Sequence, residues 1–192
     1  VYTEFIATLE YLRDFLGDHG IEAVLFHGGL NGQQKRAAVE RFRDGSAQVL
    51  LSSESGGQGL NLQFCHRLVN YDLPWNPMRI EQRIGRVHRY GQERPVQITT
   101  LVLNGTIEEY ILHVLTGTID MFQTVIGEID AMLSFMNEQQ SLEVRITEII
   151  LGASSFDDIR RRMEELGEEL RRANTALNEA EQASSMLLDS IL

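Results

Sequence analysis

The 192-residue sequence has one cysteine, Cys65, which excludes an internal disulfide and a metal site built from several thiolates. It has three prolines, too few for a linker, while 43% hydrophobic residues are too many for a disordered chain. No apolar run is long enough to cross a bilayer, and no basic-then-apolar N-terminus reads as a signal peptide. Lysine is almost missing: Lys35 is the one lysine among 17 basic residues, a pattern that reads as coding bias rather than chemistry. His27, His66 and His88 share no ligand spacing, so no metal site is expected from them.

What is present is ordinary globular composition with an acidic excess, net −11. Taken alone, that charge argues against nucleic-acid binding. Its distribution says more. Residues 1–133 carry 11 basic and 16 acidic side chains, and residues 134–192 carry 6 and 12. Within the first part, Arg67, Arg79, Arg83, Arg86, Arg89 and Arg94 face only Asp72, Glu81 and Glu93 over the same stretch. A local basic cluster binds phosphates whatever the total charge.

The pattern along the chain alternates strands and helices. Val1-Tyr2 reads as the tail of a strand whose beginning is not in the sequence, and Thr3 as the cap of a helix carrying Phe5, Leu9, Leu12 and Leu16. Short strands are expected at Glu22–Phe26, Gln48–Ser52, Arg67–Tyr71 and Val96–Leu103. Helices are expected from about Gln33 to Arg43 and from about Met78 to Arg89. Such alternation predicts a parallel sheet with helices on both faces, binding ligands beyond the carboxyl ends of its strands.

From Thr106 onward the pattern is helical. Thr106-x-x-Glu109 is a capping box, and Ile107, Ile111, Val114, Thr118, Phe122, Val125 and Ile129 form one stripe, with bends expected at Gly117 and Gly127. A later helix begins at Ser154-Ser155. Its positions Ile159, Met163, Leu166, Leu170, Ala173, Leu177, Ala180, Ser184, Leu187 and Ile191 step by fours and threes, a heptad seam. The seam fits either a coiled coil or packing on a partner surface.

Two stretches carry chemistry. In Leu50–Asn61, LLSSESGGQGLN, a strand ends in hydroxyls and a carboxylate and enters a glycine turn. Glycines let backbone N–H groups approach phosphate oxygens. Ser52 and Ser53 are candidates for a nucleic-acid phosphate, and Glu54 for a ribose hydroxyl. The plain alternative is a tight connection with no ligand. In Gln82–Gln92, QRIGRVHRYGQ, helical spacing puts Arg79, Arg83 and Arg86 on one face, with Arg89 three residues on. Guanidiniums suit bidentate phosphate contact; the plain alternative is a solvated or salt-bridged face.

Together, HGGLNGQQKR, SSESGGQGLNLQF and NYDLPWNPMRIEQRIGRVHRYGQ resemble the C-terminal RecA-like lobe of superfamily II helicases, and more narrowly the Snf-type translocases, among them RNA-polymerase-recycling ATPases. The resemblance covers residues 1 to about 133. It implies an α/β fold, a RecA-like parallel sheet with flanking helices over 1–105 and a long closing helix over 106–133; residues 134–192 lie outside its motifs and read from their pattern as an acidic helical or coiled-coil extension. It implies that Arg86 and Arg89 are arginine fingers and that Gln82 meets the γ-phosphate or the attacking water. Ser53, with Ser52, would touch the tracking strand. Glu54, Gly57, Gly59 and Tyr2 would lie against ATP, and Gln33 and Arg36 match a Q-x-x-R pattern read as structural.

A complete ATP site also needs a Gly-x-x-x-x-Gly-Lys-Ser/Thr loop and an acidic pair for Mg²⁺. The sequence has no match to either; GGLNGQQK around Lys35 has the wrong spacing. The expected partners are therefore an N-terminal RecA-like lobe supplying the Mg²⁺ ligands and a nucleic acid, DNA with RNA as the alternative. The lobe alone is expected to be inactive, its setting cytoplasmic and nucleoid-associated, with no membrane. The competing reading is a non-catalytic interaction module that docks a protein or self-associates through 155–192.

Overall fold

The computed structural model describes residues 1–54, 60–117 and 142–189. Gly57 and Gly59, the stripe positions Thr118, Phe122, Val125 and Ile129 with the expected bend at Gly127, and the seam position Ile191 lie outside those residues. The chain divides into two compact units. The first is Val1–Pro74 with Met78–Val102, and the second is Trp75–Pro77 with Leu103–Leu192.

The first unit is a five-stranded, all-parallel sheet. Its strands are β1 (Tyr2–Thr3), β2 (Ala23–Phe26), β3 (Val49–Ser53), β4 (Arg67–Asn70) and β5 (Gln97–Thr100), in the order β2-β3-β1-β4-β5. Alternation along the strands builds two cores. Ala23, Leu25, Val49 and Leu51 face helix α1 (Ile6–Asp18) through Leu9 and Leu12. Val24, Phe26 and Leu50, with Tyr2 and Leu68, face helix α2 (Gly32–Arg43) through Ala38, Val39 and Phe42. Both faces of the sheet are covered, as parallel pairing requires. The expected RecA-like α/β fold is the observed one.

Local chemistry differs from the sequence reading at three helix ends. Thr3 does not cap α1. It belongs to β1, the N-cap is Phe5, and that cap carries no side-chain hydrogen bond. Helix α2 has a capping box that the periodicity did not flag. Asn31 Oδ1 accepts from Gln33 N and Gln34 N, and Gln34 Oε1 accepts from Asn31 N. The arginine helix α3 (Pro77–Ile84) stops five residues short of Arg89. After Ile84 the chain tightens into turns, with Arg86 N donating to Arg83 O and Val87 N to Ile84 O. Arg86 and Arg89 therefore sit beyond the helix, on irregular backbone.

The second unit is helical among its described residues: α4 (Ile107–Gly117), α5 (Leu142–Gly152) and α6 (Phe156–Asp189). At the start of α4, Glu109 accepts from Gly105 N at 2.6 Å while Thr106 Oγ1 donates to Leu103 O, so the expected Thr106–Glu109 capping box is not formed and only the glutamate half is used, one residue early. At the start of α6, Asp158 accepts from Ser154 N while its own N–H donates to Ser155 Oγ. Hydrogen bonding from Arg162, with that from Ser154 and Arg161, holds the Asp158 carboxyl well below the usual carboxylate range. Along α6 the seam residues Ile159, Met163, Leu166, Leu170 and Ala173 are buried, and α6 packs on α4 and α5 of the same unit. That part of the seam is satisfied within the chain; from 174 to 180 no side chain is buried. No helix among the described residues is long and apolar enough to cross a membrane.

Candidate functional site

The carboxyl ends of the three central strands supply the site. β1 ends in Thr3, β3 in Ser52-Ser53 before Glu54, and β4 in Asn70 before Asp72. Against them comes α3, whose Arg83 is buried, while Val87 just past its end packs in the core with Tyr2 and Leu68.

Arg83 is the organising residue. Its side chain is 1% exposed. Nε donates to Glu54 Oε1 at 2.5 Å and Nη2 to Asp72 Oδ1 at 3.2 Å. Nη1 donates to Asn70 Oδ1 at 3.3 Å and Asp72 O at 3.0 Å. The guanidinium also stands 5.7 Å from the centroid of the Tyr2 ring. Asp72 passes the connection on: its Oδ2 accepts from the Thr3 hydroxyl and from Glu4 N. Glu4 in turn pairs with Arg79 at 2.6 Å. One buried cation thus ties the ends of β3 and β4 together, and Asp72 extends the tie to β1.

The sequence-predicted residues divide on this frame. Tyr2, Ser52, Glu54 and Arg86 come together around the Tyr2 hydroxyl. Burial pushes the Tyr2 phenol up from 10.0 to about 12; Glu54 raises it further, while Arg86, Arg83 and Ser52 pull it down. Arg86 is half-buried and makes no side-chain hydrogen bond or ion pair among the described residues. Ser52 and Ser53 are both buried, and Ser52 Oγ donates to Ser53 O at 3.2 Å. Tyr2 is a core residue, 4% exposed, so its ring face is packed rather than open to a base. Gln82 and Arg89 are exposed and stand apart from the cluster; Arg89 Nε folds back onto Gly85 O at 2.7 Å.

Arg83 lies on the arginine face that the spacing predicts, and its burial adds a role that charge alone does not assign. The signal was legible: Ile80, Arg83 and Val87 step by three and four, the spacing of an inward stripe, with an arginine in the middle. Gln63 and Gln92, described below, gave no such signal.

Among the described residues the buried Tyr2 hydroxyl lies near Ser52 but makes no well-formed hydrogen bond. A buried phenol with its pKa raised in the fold contributes stability that is complete below about pH 10 and is lost as pH rises toward about 12. Tyr2→Phe is expected to flatten that alkaline loss and to leave the urea midpoint at neutral pH equal or higher, because an unpaired hydroxyl is removed. A lower neutral midpoint would show that the hydroxyl is paired.

The helicase conserved C-terminal domain family matches residues 1–91. An uncharacterized ATP-dependent helicase of Bacillus subtilis, YqhH, is 43% identical over 166 residues, which is 86% of this chain and 29% of that protein. The RNA polymerase-associated protein RapA of Proteus mirabilis is 33% identical over 156 residues, 76% of this chain and 16% of that protein. The chain therefore spans less than a third of the curated relatives it matches. The YqhH match is longer than the 133 residues in which the motifs lie, so it reaches into the helical unit. Among solved structures, the C-terminal part of the Fun30 ATPase domain is 27% identical with a TM-score of 0.54, over 58% of this chain and 37% of that one. The C-terminal domain of Dbp5 from S. cerevisiae shares the fold, with a TM-score of 0.50 at 22% identity over 62% of this chain and 67% of that one. Residues 1–91 thus match a helicase conserved C-terminal domain on a RecA-like fold, and the chain is similar to an ATP-dependent helicase and to RapA.

Proposed function

We propose that this lobe completes the ATP site of a two-lobed, nucleic-acid-stimulated translocase, with Arg86 and Arg89 as its arginine fingers. The observation that carries the reading is the contrast between two neighbouring arginines. Arg83 is neutralised by Glu54 and Asp72. Arg86, three residues on, borders the same strand ends with no carboxylate partner among the described residues. An unpaired, half-buried guanidinium at the carboxyl edge of a parallel sheet is poised for a phosphate.

The fit to a nucleotide is partial. Arg86 suits a triphosphate tail. Glu54 spends one oxygen on Arg83 and keeps 26% of its side chain exposed, leaving the other for a ribose hydroxyl. Among the described residues no group of three His, Cys, Asp or Glu side chains could hold a metal ion, so Mg²⁺ would be held by the opposite lobe. ATP, when bound between the lobes, supplies the phosphoryl group whose transfer depends on positioning and charge stabilisation. Arg86 would stabilise the developing charge. Arg89 would reach it by leaving Gly85 O, and Gln82, exposed on α3, would orient water once a second lobe covers it.

Polymer contact is supported by a groove of about 370 Å³ lined by Phe26, Lys35, Arg36, Glu40, Arg43 and Asn61. Three cations meet there in an acidic protein. Lys35 Nζ stands 5.8 Å from the buried Phe26 ring and Arg43 stacks 4.9 Å over the exposed Phe64, an arrangement suited to phosphates. A phosphate contact by Ser53 requires the end of β3 to open, since its hydroxyl is covered. Duplex DNA is the favoured polymer.

Two measurements test the reading. The lobe joined to its upstream nucleotide-binding lobe is expected to hydrolyse ATP faster when duplex DNA is added, and this chain alone to be inactive. Hydrolysis by this chain alone, or none by the joined protein, overturns the proposal. DNA affinity is expected to fall steeply with salt and to be indifferent to base sequence, as phosphate contacts dictate. A footprint confined to one base sequence would remove the phosphate-tracking part.

A further inference from the structure

Arg86 and Arg89 lie past the end of α3, where no regular helix fixes them. Their backbone is held from one side by residues 62–65 and Gln92. Leu62 N donates to Arg86 O at 2.9 Å. Gln63 Nε2 donates to Tyr90 O at 3.0 Å. Gln92 Nε2 shares its two hydrogens among Gln63 O at 2.9 Å, Val87 O at 3.0 Å and Cys65 O at 3.1 Å. Gln92 Oε1 accepts from Arg94 N at 3.2 Å, which keeps the amide turned this way. The carbonyls of residues 86, 87 and 90 are thus all spoken for by the 62–65 segment or by Gln92. Gly91, at φ +92°, supplies the left-handed bend that brings Gln92 back over the turn.

We infer that Gln63 and Gln92 are positioning residues: two carboxamides that pin the backbone carbonyls beside Arg86 and Arg89 and so set where those arginines stand relative to the strand-end site. The inference rests on the proposed role of those arginines and adds which groups aim them. At the end of β3, Arg83 ties Glu54 to α3. The arginine-bearing backbone is therefore fastened at both described ends of the connection that follows β3. Neither glutamine touches the reacting atoms. Each acts through backbone next to an arginine, Gln92 through Val87 O and Gln63 through Tyr90 O.

A fixed arginine gains its effect from placement, and an error of about 1 Å costs roughly 10²-fold in rate. The test uses the protein with both lobes. Gln92→Ala and Gln63→Ala are each expected to lower kcat about 10- to 100-fold at unchanged KM for ATP, after rates are divided by the fraction that binds nucleotide. Gln92→Glu keeps the shape and removes the donors, and it is expected to match Gln92→Ala. Gln48→Ala deletes a similar side-chain-to-backbone bond, Glu22 N to Gln48 Oε1 at 2.8 Å, far from the site, and is expected to leave kcat unchanged.

The inference is overturned if Gln92→Glu turns over like the unsubstituted protein. It is also overturned if the loss vanishes on correcting for the binding-competent fraction, which would make the glutamines merely structural. If the unsubstituted two-lobe protein hydrolyses ATP and both alanine variants match it, this inference fails while the proposed function stands. If the unsubstituted protein hydrolyses nothing, both fail.

Discussion

Turnover by the two-lobe protein is expected to fall about 10³- to 10⁵-fold when Arg86 becomes alanine, the scale on which arginine fingers act. That corresponds to about 4–7 kcal/mol of barrier. Nucleotide affinity is expected to change little, because the finger meets charge that develops only as the phosphoryl group transfers. The structure sharpens this expectation. Arg86 has no ion pair to lose among the described residues, so its removal breaks no visible support of the fold. The variant is therefore expected to unfold at the same urea concentration as the unsubstituted lobe while losing DNA-stimulated hydrolysis. Steady-state kinetics with ATP-binding titration separates the two effects. A variant with ordinary turnover would show that the charge is stabilised by something else.

Arg83 is expected to behave in the opposite way. Its guanidinium is 1% exposed and neutralises Glu54 and Asp72 at once. Replacing it by methionine keeps much of the apolar stem but leaves two carboxylates close together with no cation between them. Breaking a buried pair by removing one partner costs about 3–5 kcal/mol, a large share of the roughly 5–15 kcal/mol that holds a domain folded. Urea unfolding of this chain is expected to show that loss in the midpoint at unchanged slope. Adding Glu54→Gln and Asp72→Asn to Arg83→Met is expected to restore part of it, since the charges that were stranded are gone. Arg83→Lys is expected to fail as a substitute, because an ammonium cannot serve Glu54, Asp72 and Asn70 from one planar fork. If Arg83→Met unfolds within about 1 kcal/mol of the unsubstituted chain, the arginine is not the tie described here.

The sheet was legible because its signal is local. Short apolar runs such as Val-Leu-Leu and Ala-Val-Leu-Phe, separated by amphipathic stretches, suffice to predict parallel strands with helices between them. The site was half legible for the same reason. The hydroxyl-and-carboxylate end of β3 and the arginine cluster could be found by spacing. Which arginine is buried could not be settled by charge alone, since Arg79, Arg83 and Arg86 look alike as a basic face. Only the apolar neighbours Ile80 and Val87 distinguish Arg83. The end of α3 was misplaced because helical spacing of Arg83, Arg86 and Arg89 persists through a stretch that the backbone leaves at Gly85. A β-carbon there would come within 3.3 Å of Glu81 O. Thr3 reads as a helix cap from its type and position. Its hydroxyl instead serves Asp72, far away in sequence, and no local rule anticipates such a bond. The same holds for Gln63 and Gln92, whose partners are set by how two loops happen to lie.

The strand order gives the two residues of β1 an importance out of proportion to their number. β3 and β4 are not paired with each other; each is paired with β1, through Tyr2 opposite Ser52 and Tyr2 opposite Asn70. The β2–β3 and β4–β5 pairs each close a short stretch of chain, whereas β1 has to be gathered from much farther along the sequence. Closing the longer loops costs more entropy and contributes its contacts later. The lobe thus assembles as two ribbons that a single dipeptide then zips into one, and the seam it closes is the edge where the chemistry is laid out.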